Sequence, residues 1–192
     1  MTARLVVLAS GSGTLLQSLL DACADRRLNA SVALVVSDVA DAQALARAAS
    51  SGADTACISP ADFPDRSAWN AAMVEAVSAA SPDWVVSAGF MRILGPAFVE
   101  AFSGRIINTH PALLPSFPGA HGVRDALDYG VMVTGCTVHL VDHGVDTGPI
   151  LAQRAVEVLP DDDEASLHER IKVIERTLLV HTLNDLIGES RD

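Results

Sequence analysis

The first half of the chain alternates short apolar runs with longer Ala- and Leu-rich segments of helical period. The apolar runs predict buried β-strands at 5–9, 32–37, 54–58, 84–88 and 105–109. The segments between the first four runs predict helices at 15–26, 42–51 and 67–80. Asp65 stands near the start of the third helix, and Ser81-Pro82 ends it. This order predicts an α/β fold with an open, mostly parallel twisted sheet, helices on both faces and right-handed crossovers.

The pattern changes in the last third of the chain. Residues 123–129 predict a short helix closed by Gly130, and two longer runs at 133–141 and 150–158 predict antiparallel strands joined by DHGVDTGP. The acidic run 161–163 precedes a final helix at about 165–187, where carboxylates suit the positive helix end. Neither a repeat nor a linker interrupts the 192 residues, so we expect a single domain with halves at about 1–100 and 101–192.

Composition narrows the class of protein. Hydrophobic residues make up 49% and charged residues 19%, which is typical of a well-buried globular fold. The apolar runs are strand-sized and no signal peptide is visible, so we expect a cytoplasmic protein without membrane contact. A net charge of −11 argues against nucleic-acid binding but permits one small phosphate-bearing ligand. Cys23, Cys57 and Cys136 lack metal spacing and predict reduced, buried thiols.

Polar groups fall at the ends of three predicted strands: residues 10–14, residues 89–94, and Asn108 with His110. Ligands of open parallel sheets bind beyond the carboxyl ends of the strands, near the point where the strand order reverses. The SGSGT turn after the first strand lets backbone N–H groups approach an anion. It lacks the third Gly of GxGxxG and the Lys of a P-loop, so a simple tight turn capped by Thr14 is the alternative.

The stretch INTHPALLPSFPGAHG, residues 107–122, combines two reactive side chains with three prolines. Asn108 and His110 project to the same side of a strand, and Pro111 stops that strand. An Asn amide donates to an oxyanion, and a His donates or shuttles a proton. A carboxylate that orients the imidazole would come from Asp142 or Asp146, and Leu114–Pro115 is a candidate cis bond. His139 alternates with Thr137 on a strand and is either a buried polar pair with it or a support for the site.

Three ordered segments carry a family resemblance: AGFMRIL at 88–94, NTHPALLPSFPG at 108–119 and TVHLVDHGVDTGPI at 137–150. From about Leu5 to about Gly188 the chain resembles the folate-dependent phosphoribosylglycinamide formyltransferases (glycinamide ribonucleotide transformylases) of purine biosynthesis. The resemblance implies 10-formyltetrahydrofolate as co-substrate, glycinamide ribonucleotide as acceptor and no metal. It places the nucleotide in the N-terminal half and folate and catalysis in the C-terminal half. The oligomeric state cannot be read from the sequence.

The resemblance also implies residue roles. Asn108, His110 and Asp146 match the catalytic trio, in which Asn108 and protonated His110 stabilise the oxyanion and Asp146 favours the charged imidazole. Thr137 and His139 stand behind the trio. Positions that match the ribonucleotide site are Ser12, Gly13, Thr14, Leu15 and Glu175. Positions that match the folate site are Arg66, Met91, Arg92, Ile93, Leu94, Val141, Asp142, His143 and Gly144. Without the resemblance, Glu175 reads as a surface charge.

One departure and three alternatives accompany the resemblance. Leu15 stands where the family commonly has Asn, which removes an amide side chain but keeps the backbone donors. A formyltetrahydrofolate deformylase would use water in place of the amine, but the few residues before the first strand leave no room for its regulatory domain. A methionyl-tRNA formyltransferase would need a C-terminal RNA-binding domain and basic surface. A non-catalytic nucleotide-binding module has little use for the intact trio.

Overall fold

The computed structural model describes residues 2–189, and their seven strands form one sheet in the order β3-β2-β1-β4-β5-β6-β7. The strands are β1 (Ala3–Leu8), β2 (Ala30–Ser37), β3 (Asp54–Cys57), β4 (Trp84–Ser87), β5 (Ile106–His110), β6 (Val133–Leu140) and β7 (Ile150–Glu157). Each predicted strand is present, with ends that coincide with the prediction or differ from it by one or two residues. The predicted α/β class and mostly parallel sheet are confirmed.

The chain divides into two compact units, the first ending at Ile107 and the second beginning at Asn108. In the first unit β1 runs parallel to both β2 and β4, and β2 runs parallel to β3. The chain therefore extends the sheet first to one side of β1 and then to the other. Ligands of such sheets bind where the strand order reverses, so the loops after β1 and β4 are the expected ligand-binding loops of this unit.

The helices of the first unit are α1 (Thr14–Ala24), α2 (Gln43–Ser50), α3 (Arg66–Ala79) and α4 (Pro96–Ala101), with a 3₁₀ turn at Pro60–Asp62. The sequence pattern did not predict α4, because six residues are too few to show a helical period. The alternative in which Thr14 caps α1 is wrong, because Thr14 is the first residue of that helix. The N-cap is Gly13, which has the left-handed conformation, and no side chain caps the helix.

The second unit combines α5 (Gly122–Tyr129), the antiparallel pair β6 and β7, and the long helix α6 (Glu164–Glu189). Antiparallel pairing of β6 with β7 confirms the prediction from the DHGVDTGP connection. The acidic run before α6 also behaves as predicted, since Asp163 accepts a hydrogen bond from the Ser166 N–H at 2.8 Å. No described helix combines the length and apolar character needed to cross a membrane.

The three cysteines are free, and they differ in exposure. Cys136 is buried and Cys23 is partly buried, whereas Cys57 is exposed, so the expectation of buried thiols is wrong for Cys57. Burial raises the pKa of the Cys136 thiol to about 12 and that of Cys23 to about 11. Both remain protonated at neutral pH and are poor nucleophiles.

A test of the local capping concerns Asp65, whose carboxylate accepts from the Ala68 N–H at 2.8 Å at the start of α3. Replacement of Asp65 by Ala should lower the free energy of unfolding by about 1 kcal/mol, because one N–H of the first turn loses its partner. Urea denaturation followed by circular dichroism measures the change. The control is Asp41→Ala, at an exposed loop residue; equal losses in both variants would contradict the capping role.

Candidate active site

Strand β5 ends with two polar side chains in the second unit. Asn108 and His110 are two residues apart and therefore lie on one face of the strand. The His110 residue is 3% exposed, and Asn108 is half-buried. Pro111 follows at once and cannot donate to a ladder, so the strand ends where its reactive side chains are presented.

The carboxylate of Asp146 faces two imidazole rings. Its Oδ2 is 3.4 Å from Nδ1 of His110, and its Oδ1 is 3.5 Å from Nε2 of His139. The N–H of Gly119 donates to Oδ2 at 2.8 Å. Burial alone raises the pKa of the Asp146 carboxyl, but the bonds from His139 and Gly119 and the charge of His110 together hold that pKa below its usual value. The group is therefore an anion placed beside both rings.

The second acidic candidate, Asp142, is engaged elsewhere. Its Oδ1 accepts from the Thr147 hydroxyl at 2.7 Å and from the Gly144 N–H at 3.0 Å. These bonds, led by the one from Thr147, lower the pKa of the Asp142 carboxyl. Asp142 thus stabilises its own loop. Of the two carboxylates that the sequence left open, Asp146 is the one beside His110.

The proline-rich stretch fixes the far side of the His110 ring. Nε2 of His110 donates to the Phe117 carbonyl oxygen at 2.7 Å. Gly122 lies against the same ring, since a Cβ at that position would come within 2.9 Å of Nε2. The predicted cis bond between Leu114 and Pro115 is present. The stretch therefore holds the imidazole from one side while Asp146 faces the other nitrogen.

Thr137 on β6 ties this stretch to the sheet. Its hydroxyl donates to the Ala112 carbonyl oxygen at 2.7 Å and accepts from the Leu114 N–H at 3.0 Å. Gln153 on β7 donates through Nε2 to the Thr137 hydroxyl at 3.0 Å and to the Leu114 carbonyl oxygen at 2.8 Å. Sequence reasoning placed Thr137 near the site but missed Gln153, which has no local signal and lies 39 residues from Leu114.

His139 controls the orientation of the Asn108 amide. Its Nδ1 donates to the Leu140 carbonyl oxygen at 2.9 Å, while its Nε2 is 3.3 Å from the amide nitrogen of Asn108. If the His139 ring is neutral, Nε2 has a lone pair: it accepts a hydrogen bond from the Asn108 NH₂ group, and the same lone pair faces the Asp146 carboxylate. If the ring is protonated, Nε2–H donates to Asp146. The Asn108 amide then has its oxygen toward the ring and its NH₂ group turned away from it. The protonation of His139 decides which Asn108 group is free to bind a ligand.

In the first unit, a short turn connects β1 to α1 and ends at Gly13. Gly13 has φ of 68°, and a Cβ there would lie 2.7 Å from the Ala44 Cα, so the turn requires glycine. The N–H groups of the first helical turn lack intrahelical partners and can bind an anion. Leu15 is buried with 7% exposure, so its side chain packs in the core. Its replacement of the family's Asn leaves the backbone donors in place.

Arg47 on α2 braces this turn. Its Nε donates to the Ser12 carbonyl oxygen at 2.8 Å, and its Nη1 donates to Oε1 of Gln17 at 3.1 Å. The guanidinium thereby links the Ser12 carbonyl of the turn to Gln17 in the first turns of α1. The sequence gave no signal for Arg47, because its partners lie 35 and 30 residues away.

The loop after β4 carries exposed apolar side chains. Met91 is 76% exposed and Ile93 is 70% exposed, and Leu94 is partly buried. Arg66 donates through Nη2 to the Ile93 carbonyl oxygen, and its guanidinium lies 4.7 Å from the centre of the Trp69 ring. Arg66 and the loop residues that the sequence assigned to one site are therefore in contact within this unit.

Glu175 on α6 is not the surface charge that its sequence context indicated. It is buried with 9% exposure and has a side-chain hydrogen bond with Thr109 of β5. Burial raises the pKa of its carboxyl, against the lowering effect of Thr109, Lys172 and Arg176. A signal was available, because Glu175 is four residues after the buried Ile171 and so continues its apolar face.

The loop between β6 and β7 places the remaining predicted residues at the surface of the second unit. Val141 and Asp142 are partly buried, whereas His143 and Gly144 are exposed. Within residues 2–189, no group of three or more His, Cys, Asp and Glu side chains has a metal-site arrangement.

The groups gathered around Asp146 have a definite chemical use. The amide of Asn108 is a donor that can stabilise negative charge on a carbonyl oxygen, and His110 lies on the same face of β5. A histidine fixed beside a carboxylate can also carry a proton between two heteroatoms. This arrangement fits acyl or formyl transfer without a covalent enzyme intermediate.

Comparison with known proteins agrees with the fold. The phosphoribosylglycinamide formyltransferase of Mycobacterium tuberculosis is 61% identical over 178 residues, covering 93% of this chain and 82% of the relative. That of Escherichia coli is 40% identical over 174 residues, covering 91% and 82%. The crystal structure of glycinamide ribonucleotide transformylase 1 from Symbiobacterium toebii superposes with a TM-score of 0.96 at 45% identity, covering 99% of this chain and 89% of that one.

The profile of the family described as Formyl transferase matches residues 3–183. That match spans both units and includes the strand ends and loops described above. The chain belongs to the formyl transferase family.

Proposed function

We propose that this protein transfers the formyl group of 10-formyltetrahydrofolate to the amine of N1-(5-phospho-D-ribosyl)glycinamide in purine biosynthesis. The observation that carries the proposal is the approach of Asp146 to His110 and His139 at 3.4 and 3.5 Å, with Asn108 beside His139. The relatives named phosphoribosylglycinamide formyltransferase match over most of the chain, which supports the choice of substrates.

The reaction balances without a metal or a covalent intermediate. The amine nitrogen attacks the formyl carbon, and Asn108 donates to the oxygen that becomes negative. The Nε2–H of His110 joins it by exchanging the Phe117 carbonyl oxygen for that oxygen. The bond from the formyl carbon to the folate nitrogen then breaks. The proton lost by the attacking amine passes through His110 or a water molecule to the departing nitrogen. Asp146 faces Nδ1 of His110 and holds the ring in place.

The remaining proposed roles are substrate contacts, which each unit supplies from its own residues. In the first unit, the backbone of residues 12–15 holds the phosphate, while Arg66 and the loop 91–94 contact folate. In the second unit, residues 141–144 contact folate and Glu175 holds the ribonucleotide. Both substrates are small molecules. We place the protein in the cytoplasm and assign it no nucleic-acid or membrane partner.

Formyl loss from 10-formyltetrahydrofolate should require the ribonucleotide, because the amine is the nucleophile. A spectrophotometric assay of tetrahydrofolate formation, run with and without glycinamide ribonucleotide, measures this dependence. Equal rates in both runs would identify a deformylase. Absence of formyl loss, with ribonucleotide binding retained, would identify a non-catalytic module.

The variant His110→Ala should lower kcat by at least about 100-fold, the usual contribution of a positioned acid or base. Ribonucleotide binding measured by calorimetry should persist, because His110 acts mainly in the transition state. His181→Ala, an exposed histidine of α6, is the matched control. Wild-type turnover in His110→Ala would remove His110 from the mechanism.

A further inference from the structure

A second carboxylate, Asp38, is buried at the end of β2 in the first unit. Its side chain is 1% exposed, and it directly follows Ser37, the last residue of the strand. Transfer of an isolated carboxylate out of water is costly, so a buried one is paired or hydrogen-bonded. The identity of its partners therefore indicates what Asp38 does.

Each oxygen of Asp38 has a partner in a different loop. The Ser10 hydroxyl donates to Oδ1 at 2.5 Å, and Nε of Arg92 donates to Oδ2 at 2.7 Å. The Ser10 hydroxyl in turn accepts from the Met91 N–H at 2.8 Å. The Asp38 carboxylate thus joins the turn after β1 to the loop after β4. It reaches that loop through the Arg92 side chain directly and through the Met91 amide by way of Ser10.

The loop after β4 depends on such contacts, because residues 88–95 form neither helix nor strand. Its other anchors include the Ala88 N–H to the Leu8 carbonyl oxygen at 2.8 Å and the Ser10 N–H to the Gly89 carbonyl oxygen at 3.1 Å. Arg66 also donates to the Ile93 carbonyl oxygen, and the Phe90 ring stacks on Trp69. None of these fixes the direction of the Arg92 side chain. Asp38 does so through the Nε edge of the guanidinium, while the Arg92 side chain stays 46% exposed.

The charges reinforce the geometry. Burial raises the pKa of the Asp38 carboxyl, but the bonds from Ser10 and Arg92 outweigh burial and hold that pKa below its usual value. Asp38 is therefore an anion at neutral pH. A charge-assisted bond to a buried anion orients an arginine more tightly than a bond to a neutral acceptor.

We propose that Asp38 is a positioning residue of the formyl-folate site: it fixes Arg92 and the Met91 amide so that the loop 91–94 is preorganised for the co-substrate. The inference rests on the proposed role of that loop in folate binding. Asp38 acts through Arg92 and Ser10 and does not itself touch the reacting atoms. Preorganisation lowers the entropy that the loop loses on binding, so its loss appears as weaker folate binding.

The test is Asp38→Asn in the full chain, with KM measured separately for the two substrates. We expect KM for 10-formyltetrahydrofolate to rise about tenfold, the effect of losing one hydrogen bond to a charged group. KM for the ribonucleotide should stay within about twofold, because Asp38 bonds to Ser10 and not to residues 12–15, the proposed phosphate contacts of the same turn. Asp41→Asn, at an exposed position three residues along the same connection, is the matched control.

A double-mutant cycle separates positioning from general destabilisation. Because Asp38 acts in part through Arg92, Asp38→Asn should raise the folate KM of Arg92→Gln by a smaller factor than it raises that of the wild type. Full additivity, equal increases in both KM values, or an unchanged folate KM would each overturn the proposal. Should Asp38→Asn fail to fold, Ser10→Ala removes the bridge to Met91 while keeping the Asp38–Arg92 pair; an unchanged folate KM in that variant would also overturn it.

Failure of this inference is distinguishable from failure of the proposed function. Quenching of tryptophan fluorescence by 10-formyltetrahydrofolate reports binding without turnover, and Trp69 stacks on Phe90 of the same loop. A wild-type protein that lacks amine-dependent transfer contradicts the function. A wild-type protein that transfers normally, with equal folate affinity in Asp38→Asn, contradicts the positioning role alone.

Discussion

The carboxylate of Asp146 is the group on which the geometry of the second unit depends. It lies between His110 and His139 and is held by the Gly119 N–H at 2.8 Å. A partly buried anion with two imidazoles around it is stabilised by them. Because His139 also faces Asn108, this one carboxylate lies next to the histidine proposed to carry a proton and next to the histidine that contacts the Asn108 amide.

Both units use a buried carboxylate to organise a loop. Asp38 joins two strand-end loops in the first unit, and Asp146 joins the proline-rich stretch to β5 and β6 in the second. In each case the carboxylate accepts from groups far away in sequence, so the contacts form only when the sheet is assembled. Loops that would otherwise lose much conformational entropy on ligand binding are held in advance.

Much of the fold could be predicted from the sequence, since apolar runs of strand length report burial directly. Asn108 and His110 were also accessible, because Pro111 marks a strand end. The residue pattern alone left Asp142 and Asp146 open, and only the family resemblance selected Asp146. The choice depends on the backbone of a loop, in which Asp146 has φ of 55°, a conformation that no local pattern indicates. Asp38 was missed for another reason, because its partners Ser10 and Arg92 lie 28 and 54 residues away.

The turn at Gly13 has an evolutionary consequence. An anion recognised by main-chain amides is insensitive to the identity of most neighbouring side chains, so Leu15 can occupy its position by packing inward. Amino-acid substitutions in such a turn are tolerated at most positions, but not where the conformation of the main chain is constrained. That constraint falls on Gly13, since any larger residue would push against Ala44 and shift α2. Variation among homologous proteins should therefore concentrate around this glycine and spare it.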